Sequence, residues 1–157
     1  MENTEDQRRP VRLLVRRKEG TDDLPLPRYM SDGASGMDLH AAVEGEMTIE
    51  PGQVGLVPTG LHIALPPGYE AQVRPRSGLA LKSRVTVLNA PGTVDSDYRA
   101  EVGIILANLG NAPFVVKRGM RIAQMVICRV QHAEVVEVEE LDETERQFGG
   151  FGSTGLH

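Results

Sequence analysis

The sequence predicts an all-β protein, and three observations carry that expectation. Its 157 residues include 17 glycines and 10 prolines, which favour many turns over long helices. Pro51-Gly52, Pro58-Thr59-Gly60 and Pro66-Pro67-Gly68 punctuate the chain at close, regular spacing. No helix-period segment of useful length interrupts them, and the gaps leave no room for βαβ crossovers, so a barrel or a sandwich is expected.

Taken in order, residues 1–9 hold nothing to bury and are expected to be a disordered arm. Val11 to Val15 reads as the first strand, followed by a proline-stiffened loop at 22–27, a glycine-rich loop at 31–36, and a strand from Met37 to Ala41. Met47–Glu50, Gln53–Val57, Leu61–Leu65 and Tyr69–Val73 are the short segments between the Pro-Gly turns. Ser77-Gly78 reads as the opening of a short helix.

Arg84 to Leu88 alternates polar with apolar, and Val102 to Leu109 is an apolar run of strand length. Between them, Asn89 to Glu101 reads as a hairpin turned at Pro91-Gly92, with proline at the first corner and glycine at positive φ in the second. Pro113–Val116 and Arg121–Val130 continue the strands. Ile122, Gln124, Val126, Cys128 and Val130 are expected on one face of the latter, with Ala123, Met125 and Ile127 opposite. Apolar residues on both faces suggest contact with another subunit. Val135–Glu139 reads as a final strand and Leu141–Glu145 as a helical turn. The expected division is therefore arm 1–9, β domain 10–141 and a flexible glycine-rich arm 142–157.

A net charge of −5 argues against nucleic-acid binding, which needs a basic face, but leaves room for a small phosphorylated ligand held by a few arginines. A single cysteine, Cys128, excludes a disulfide framework within the chain, and no apolar stretch reaches the length of a signal peptide or membrane span. A cytoplasmic protein with no membrane partner is expected.

Several short stretches carry chemistry. Asp95 can polarise a water and Tyr98, three residues on, can stack on a base or sugar, although an Asp-rich turn is also ordinary loop chemistry. Arg76 offers a forked cation for phosphate beside the hydroxyl of Ser77 and the free N–H groups near Gly78. Gln124 is a polar side chain in an apolar strand; buried unpaired it would cost about 1–3 kcal/mol, so a structural bond or a ligand must satisfy it. By composition the chain's end, 146–155, is a floppy tail, yet Arg146, Phe151, Gly152, Ser153 and Thr154 offer a clamp, a stacking ring and phosphate donors.

Five of these stretches, in order, resemble the motifs of the trimeric dUTP pyrophosphatases (dUTPases): residues 34–41, 75–82, 89–101, 119–125 and 146–155. The resemblance implies a distorted Greek-key or jelly-roll-like β-barrel and hydrolysis of dUTP to dUMP and pyrophosphate, which limits uracil in DNA and supplies dUMP for thymidylate synthesis. It implies Asp95 as general base. Asn89 with the backbone of Gly92, Thr93 and Val94 would read uracil, Tyr98 would lie under the deoxyribose, and Arg76, Ser77 and Gly78 would hold phosphates. Mg²⁺ would bridge the phosphates, with Asp38 and Gln124 acting through its waters and no direct protein ligand. Arg146, Phe151, Gly152, Ser153 and Thr154 would close over the substrate in a homotrimer with shared sites.

Gln147 and Phe148 depart from the family pattern, as does Ala100, which stands where glycine is usual. A dCTP deaminase of the same fold should lack the Phe-Gly-Ser-Thr-Gly tail, and a zinc deaminase is excluded by scattered histidines and one cysteine. A nucleotide-responsive regulator is the reading from another class, and the intact Asp95 and tail speak against a dead enzyme.

Overall fold

A computed structural model of the chain describes residues 10–144. Among them, the apolar runs between turn signals become eleven strands and one short helix: β1 (Leu14–Arg17), β2 (Met37–His40), β3 (Glu46–Ile49), β4 (Val54–Pro58), β5 (Leu61–Ala64), β6 (Tyr69–Arg74), α1 (Ser77–Ser83), β7 (Val85–Val87), β8 (Gly92–Val94), β9 (Gly103–Asn108), β10 (Phe114–Lys117) and β11 (Arg121–Arg129). Gly52, Gly60 and Gly68 sit at φ of 77°, 69° and 84°, the left-handed region that turns after Pro51, Pro58 and Pro67 use.

The pairing is nested. β2 runs antiparallel to β11, β3 to β10 and β4 to β9, so the chain doubles back on itself as one long ribbon curled into a jelly-roll-like barrel. β6 lies between β11 and β8, β7 pairs with β9 and β1 with β5. Inward residues of this ribbon, among them Leu39, Ile49, Val57, Ile104, Leu106 and Met125, are almost fully buried. Each such side chain contributes roughly 1.5–3 kcal/mol. One polar side chain joins them: Asn108 donates from Nδ2 to Ile49 O at 2.8 Å and Ala112 O at 2.9 Å, while its Oδ1 accepts from Gly110 N–H at 2.9 Å.

Several expectations are corrected. The first strand begins at Leu14, with Val11 and Leu13 packing against the core ahead of it. Ile122 does not share the face of Gln124. Arg121 faces His40 and Ala123 faces Leu39, so Ile122 is an extra residue, a bulge that turns it into the core beside Ala123. Only Gln124, Val126 and Cys128 keep the outer face, half-buried, and Val130 lies past the strand's end.

Asn89–Glu101 is not a hairpin turned at Pro91-Gly92. The turn closes earlier, with Ala90 N–H donating to Val87 O at 3.1 Å, and the chain then pairs with β6 before β9 returns to β7. Gly92 lacks positive φ; it is buried, and a Cβ there would stand 3.2 Å from Asn89 Nδ2 and 3.4 Å from Val73 Cβ. The Ala90–Pro91 peptide is cis.

Val135–Glu139 forms no strand and Leu141–Thr144 no helical turn. Val135, Val136 and Val138 are instead exposed, because no strand edge of the same chain pairs with them. The N-terminal arm and the tail residues Arg146, Gln147, Phe148, Phe151, Gly152, Ser153 and Thr154 lie outside the described residues.

Candidate functional site

Three neighbouring strands assemble the first group of expected residues. On β2 and β11, Asp38 stands opposite Gln124, which stands opposite Arg74 on β6; Arg76 follows two residues later as the N-cap of α1. Arg76 Nε lies 3.0 Å from one oxygen of Asp38, and Arg121 Nη1 lies 3.3 Å from the other. Arg76 also donates to Arg121 O at 3.3 Å, which draws the end of β6 onto the start of β11. The half-buried Gln124 is satisfied by its own chain, donating from Nε2 to Pro75 O at 2.9 Å. Gly36 makes room for it: a Cβ there would stand 2.5 Å from Gln124 Oε1. Ser77 and Gly78 begin α1, exposed beside this cluster.

The charge here is cationic. A cleft of about 210 Å³ between Pro25, Arg28, Met30, Asp38, His40 and Arg121 adds Arg28 to the guanidinium groups around the carboxylate. His40 responds to this setting: burial holds its pKa below 6.5, Asp38 pulls it up, and Arg121, Arg76 and Arg28 push it down. Among the described residues no three of His, Cys, Asp and Glu converge as a cation cage. One carboxylate and one amide instead fit a hydrated cation that arrives on a polyphosphate, the usual manner of Mg²⁺.

The second group stands elsewhere. Gly92, Thr93 and Val94 lie on β8 against β6, with Thr93 facing out, and Asn89 rests its amide against Gly92. Asp95 follows, exposed, and opens a turn closed by Tyr98 N–H donating to Asp95 O at 3.1 Å. The Tyr98 hydroxyl donates to Glu101 O at 3.3 Å. Ala100, like every described non-glycine residue except Arg84, avoids positive φ, so alanine in the glycine position costs no backbone strain.

The two groups do not meet within one chain. Asp38 and Asp95 lie at opposite edges of the sheet β2-β11-β6-β8, three strand spacings across and about four residues along, on the order of 20 Å. Sequence reasoning placed Asp38, Gln124 and Arg76 together but missed Arg28 and Arg121. Arg121 carried a signal in lying three residues before Gln124; Arg28 is brought in by the fold alone.

With an arginine-framed carboxylate at one edge of its four-stranded sheet and an Asp-Tyr turn at the other, the chain falls in the class of small, jelly-roll-like all-β domains. The family model described as dUTPase matches residues 22–155, and the chain belongs to that family. It is 62% identical over 144 residues to the deoxyuridine 5'-triphosphate nucleotidohydrolase of Caldanaerobacter subterraneus subsp. tengcongensis, covering 92% of this chain and 97% of the relative. To the protein of the same name in Neorickettsia sennetsu it is 60% identical over 133 residues, 85% of this chain and 89% of that one.

Among solved structures, a mutant dUTPase of Staphylococcus bacteriophage 80alpha with dUpNHpp superposes with a TM-score of 0.82 at 22% identity, over 92% of this chain and 99% of that chain. A mutant dUTPase from phage phi11 of S. aureus, described for its structural Mg(II) ion, gives 0.74 at 20% identity over 84% and 99%. At such identities these two likenesses speak to the fold. Among the described residues no helix is long and apolar enough to cross a membrane.

Proposed function

We propose that this chain hydrolyses dUTP to dUMP and pyrophosphate in the cytoplasm, at sites built by three copies. The observation that carries the reading is the pair of separated groups, a cationic cluster around Asp38 and an Asp-Tyr turn following the edge strand β8, in a member of the dUTPase family.

Asn89 and the main chain of Gly92–Val94 pair with the uracil edge, and mismatched donors and acceptors reject cytosine more strongly than shape alone rejects thymine. Tyr98 lies under the deoxyribose and leaves no room for a 2′-hydroxyl. Arg76, Ser77 and Gly78 bind phosphate oxygens, with Arg121 and Arg28 adding charge behind them. Asp95 takes the proton of a water that attacks the α-phosphorus in line with the departing pyrophosphate. Asp38 and Gln124 would hold the water shell of a bound Mg²⁺, which would supply charge neutralisation to the phosphates. Arg146, Phe151, Gly152, Ser153 and Thr154 close over the nucleotide.

A general base must reach its water at hydrogen-bond distance, so an Asp95 about 20 Å from the phosphate cluster of its own chain has to serve the cluster of another copy. Pyrophosphate release from dUTP, dTTP, dCTP and UTP tests the activity; the expected result is turnover of dUTP far above the others, and an inactive chain ends the proposal. Mixing Arg76→Ala chains with Asp95→Asn chains tests sharing. Each is expected to be inactive alone, and mixed assemblies to regain turnover where an intact Arg76 meets an intact Asp95. No recovery after demonstrated subunit exchange would return the whole site to one chain.

A further inference from the structure

We infer that Arg99, backed by His62, is a positioning residue for this reaction: it fastens the Asp95–Tyr98 turn to β5 and so sets where Asp95 and Tyr98 stand. The inference rests on the function proposed above for what the turn does, and on the following geometry for how it is held.

β5 and the segment after β8 begin an antiparallel pairing at both ends and fail to complete it. Leu65 N–H donates to Ser96 O at 3.3 Å, and Val102 N–H donates to Leu61 O at 2.8 Å. The step from Leu61 to Leu65 on β5 is shorter than the step from Ser96 to Val102 that faces it, so the two rungs cannot belong to one regular ladder. The turn at 95–98 carries the main chain outward there, and side chains fill the gap. Arg99 Nη1 donates to Ser96 O at 2.8 Å and Tyr98 O at 3.0 Å, and reaches Ile63 O at 3.5 Å. From the opposite side His62 Nδ1 donates to Arg99 O at 2.9 Å. The far end is secured by Glu101, whose carboxylate takes Gly60 N–H at 2.9 Å and Lys18 Nζ at 3.0 Å. Tyr98 is therefore held at its carbonyl by Arg99 and at its hydroxyl by the main chain of Glu101.

These bonds matter little to the fold. Asp95, Asp97, Tyr98, Arg99 and Ala100 are all exposed, and the turn sends no side chain between 95 and 101 into the core. Exposed polar contacts of this kind are weak contributors to global stability. Placement is another matter, since moving a reacting group by about 1 Å can cost about 10²-fold in rate. Without Arg99 the loop would keep, within itself, the Tyr98 N–H to Asp95 O bond and the Tyr98 hydroxyl to Glu101 O bond, neither of which reaches β5.

The test compares Arg99→Ala, Arg99→Lys and His62→Ala with the parent chain, and uses Lys117→Ala, whose partner Glu46 lies on β3 away from the turn, as a surface control. Four quantities are measured: kcat and KM for dUTP, the UTP-to-dUTP ratio of kcat/KM, affinity for the non-hydrolysable analogue dUpNHpp, and amide hydrogen exchange across 95–101. Arg99→Ala is expected to lower kcat by up to ~10²-fold with analogue affinity and melting temperature nearly unchanged, to raise the UTP-to-dUTP ratio, and to speed exchange in the turn. Arg99→Lys, which keeps donors for two carbonyls, should restore most of kcat. His62→Ala should shift all readouts in the same direction by less, and Lys117→Ala none.

Unchanged kcat, selectivity and exchange in both alanine variants would overturn the inference. So would a loss of melting temperature and active fraction with the UTP-to-dUTP ratio intact, the mark of a merely structural role, or a loss of analogue affinity matching that of kcat, the mark of direct contact with substrate. A parent chain inactive on dUTP would overturn the proposed function instead, and exchange across the turn would still decide whether Arg99 fastens it.

Discussion

Asp38, Gln124 and Arg76 stand on or just beyond three neighbouring strands, where main-chain register fixes their spacing before any side chain is placed. Asp95 and Tyr98 stand on an exposed turn at the far edge of the same sheet, where the ladder to β5 is interrupted and Arg99 and His62 bridge the gap. The first group inherits its rigidity from the fold; the second is assembled from contacts that the fold can do without. Changes in the two regions should therefore differ in kind. Around Asp38 stability and chemistry should move together, and at the turn chemistry should move alone.

The largest effect is expected from Asp95→Asn. Turnover should fall by roughly 10²–10⁴-fold while melting temperature and dUpNHpp affinity stay with the parent. A clear loss of stability would break the comparison, because it would tie the turn to the core.

Asp38→Asn should move both quantities. Removing the half-buried carboxylate leaves Arg76, Arg121 and Arg28 facing one another, and the cost in urea denaturation should be about 1–2 kcal/mol, discounted for the exposure of Arg121. Added pyrophosphate should narrow the gap in melting temperature, since an anion takes the place of the lost charge; a gap that stayed constant would remove the cluster from phosphate binding.

Gly36→Ala sharpens the comparison further. Its Cβ would lie 2.5 Å from Gln124 Oε1, so the amide must move and give up its bond to Pro75, at about 1 kcal/mol. Turnover should drop while the barrel folds, and wild-type turnover would show that the place of Gln124 is immaterial.

Acid should give the smallest change. His40, Asp23 and Glu101 all have lowered pKa in the folded chain: His40 chiefly by burial, Asp23 through its bond to Arg118, and Glu101 because the bonds from Gly60 and Lys18 outweigh burial. For each, the unfolded chain takes up protons first, so stability falls as pH falls. His40 contributes below its ordinary 6.5, and Glu101 and Asp23 below their ordinary 4.5 and 3.8. Denaturation midpoints that were flat from neutral pH to 4 would refute this.

Turns written in local chemistry were legible in the sequence. Gly52, Gly60 and Gly68 punctuate strands where expected, and α1 opens at Ser77. What escaped the sequence depends on partners remote along the chain. The bulge at Ile122 exists only against β2, and Gly92 pairs with β6 instead of turning a hairpin because Val73 waits there. Val135–Glu139 has strand-forming residues and no edge of its own chain to pair with, so propensity and structure disagree. For the site, Asp38, Gln124 and Arg76 were readable by type and come together, whereas Arg28 reaches the cluster and His62 the turn through proximity that no spacing reveals.

The exposed stretch after β11 also bears on how the protein behaves as a colloid. Val135, Val136, Val138 and Leu141 are 95%, 67%, 55% and 84% exposed, the makings of an adhesive β segment. Glu134, Glu137, Glu139, Glu140, Asp142 and Glu143 are interleaved with them and carry like charge, so two such stretches repel each other at neutral pH. The repulsion between whole chains fades as the net charge approaches zero near the sequence pI of about 5.4. Mildly acidic buffers should therefore precipitate the protein while its barrel is still folded, and light scattering should rise before any loss of β structure.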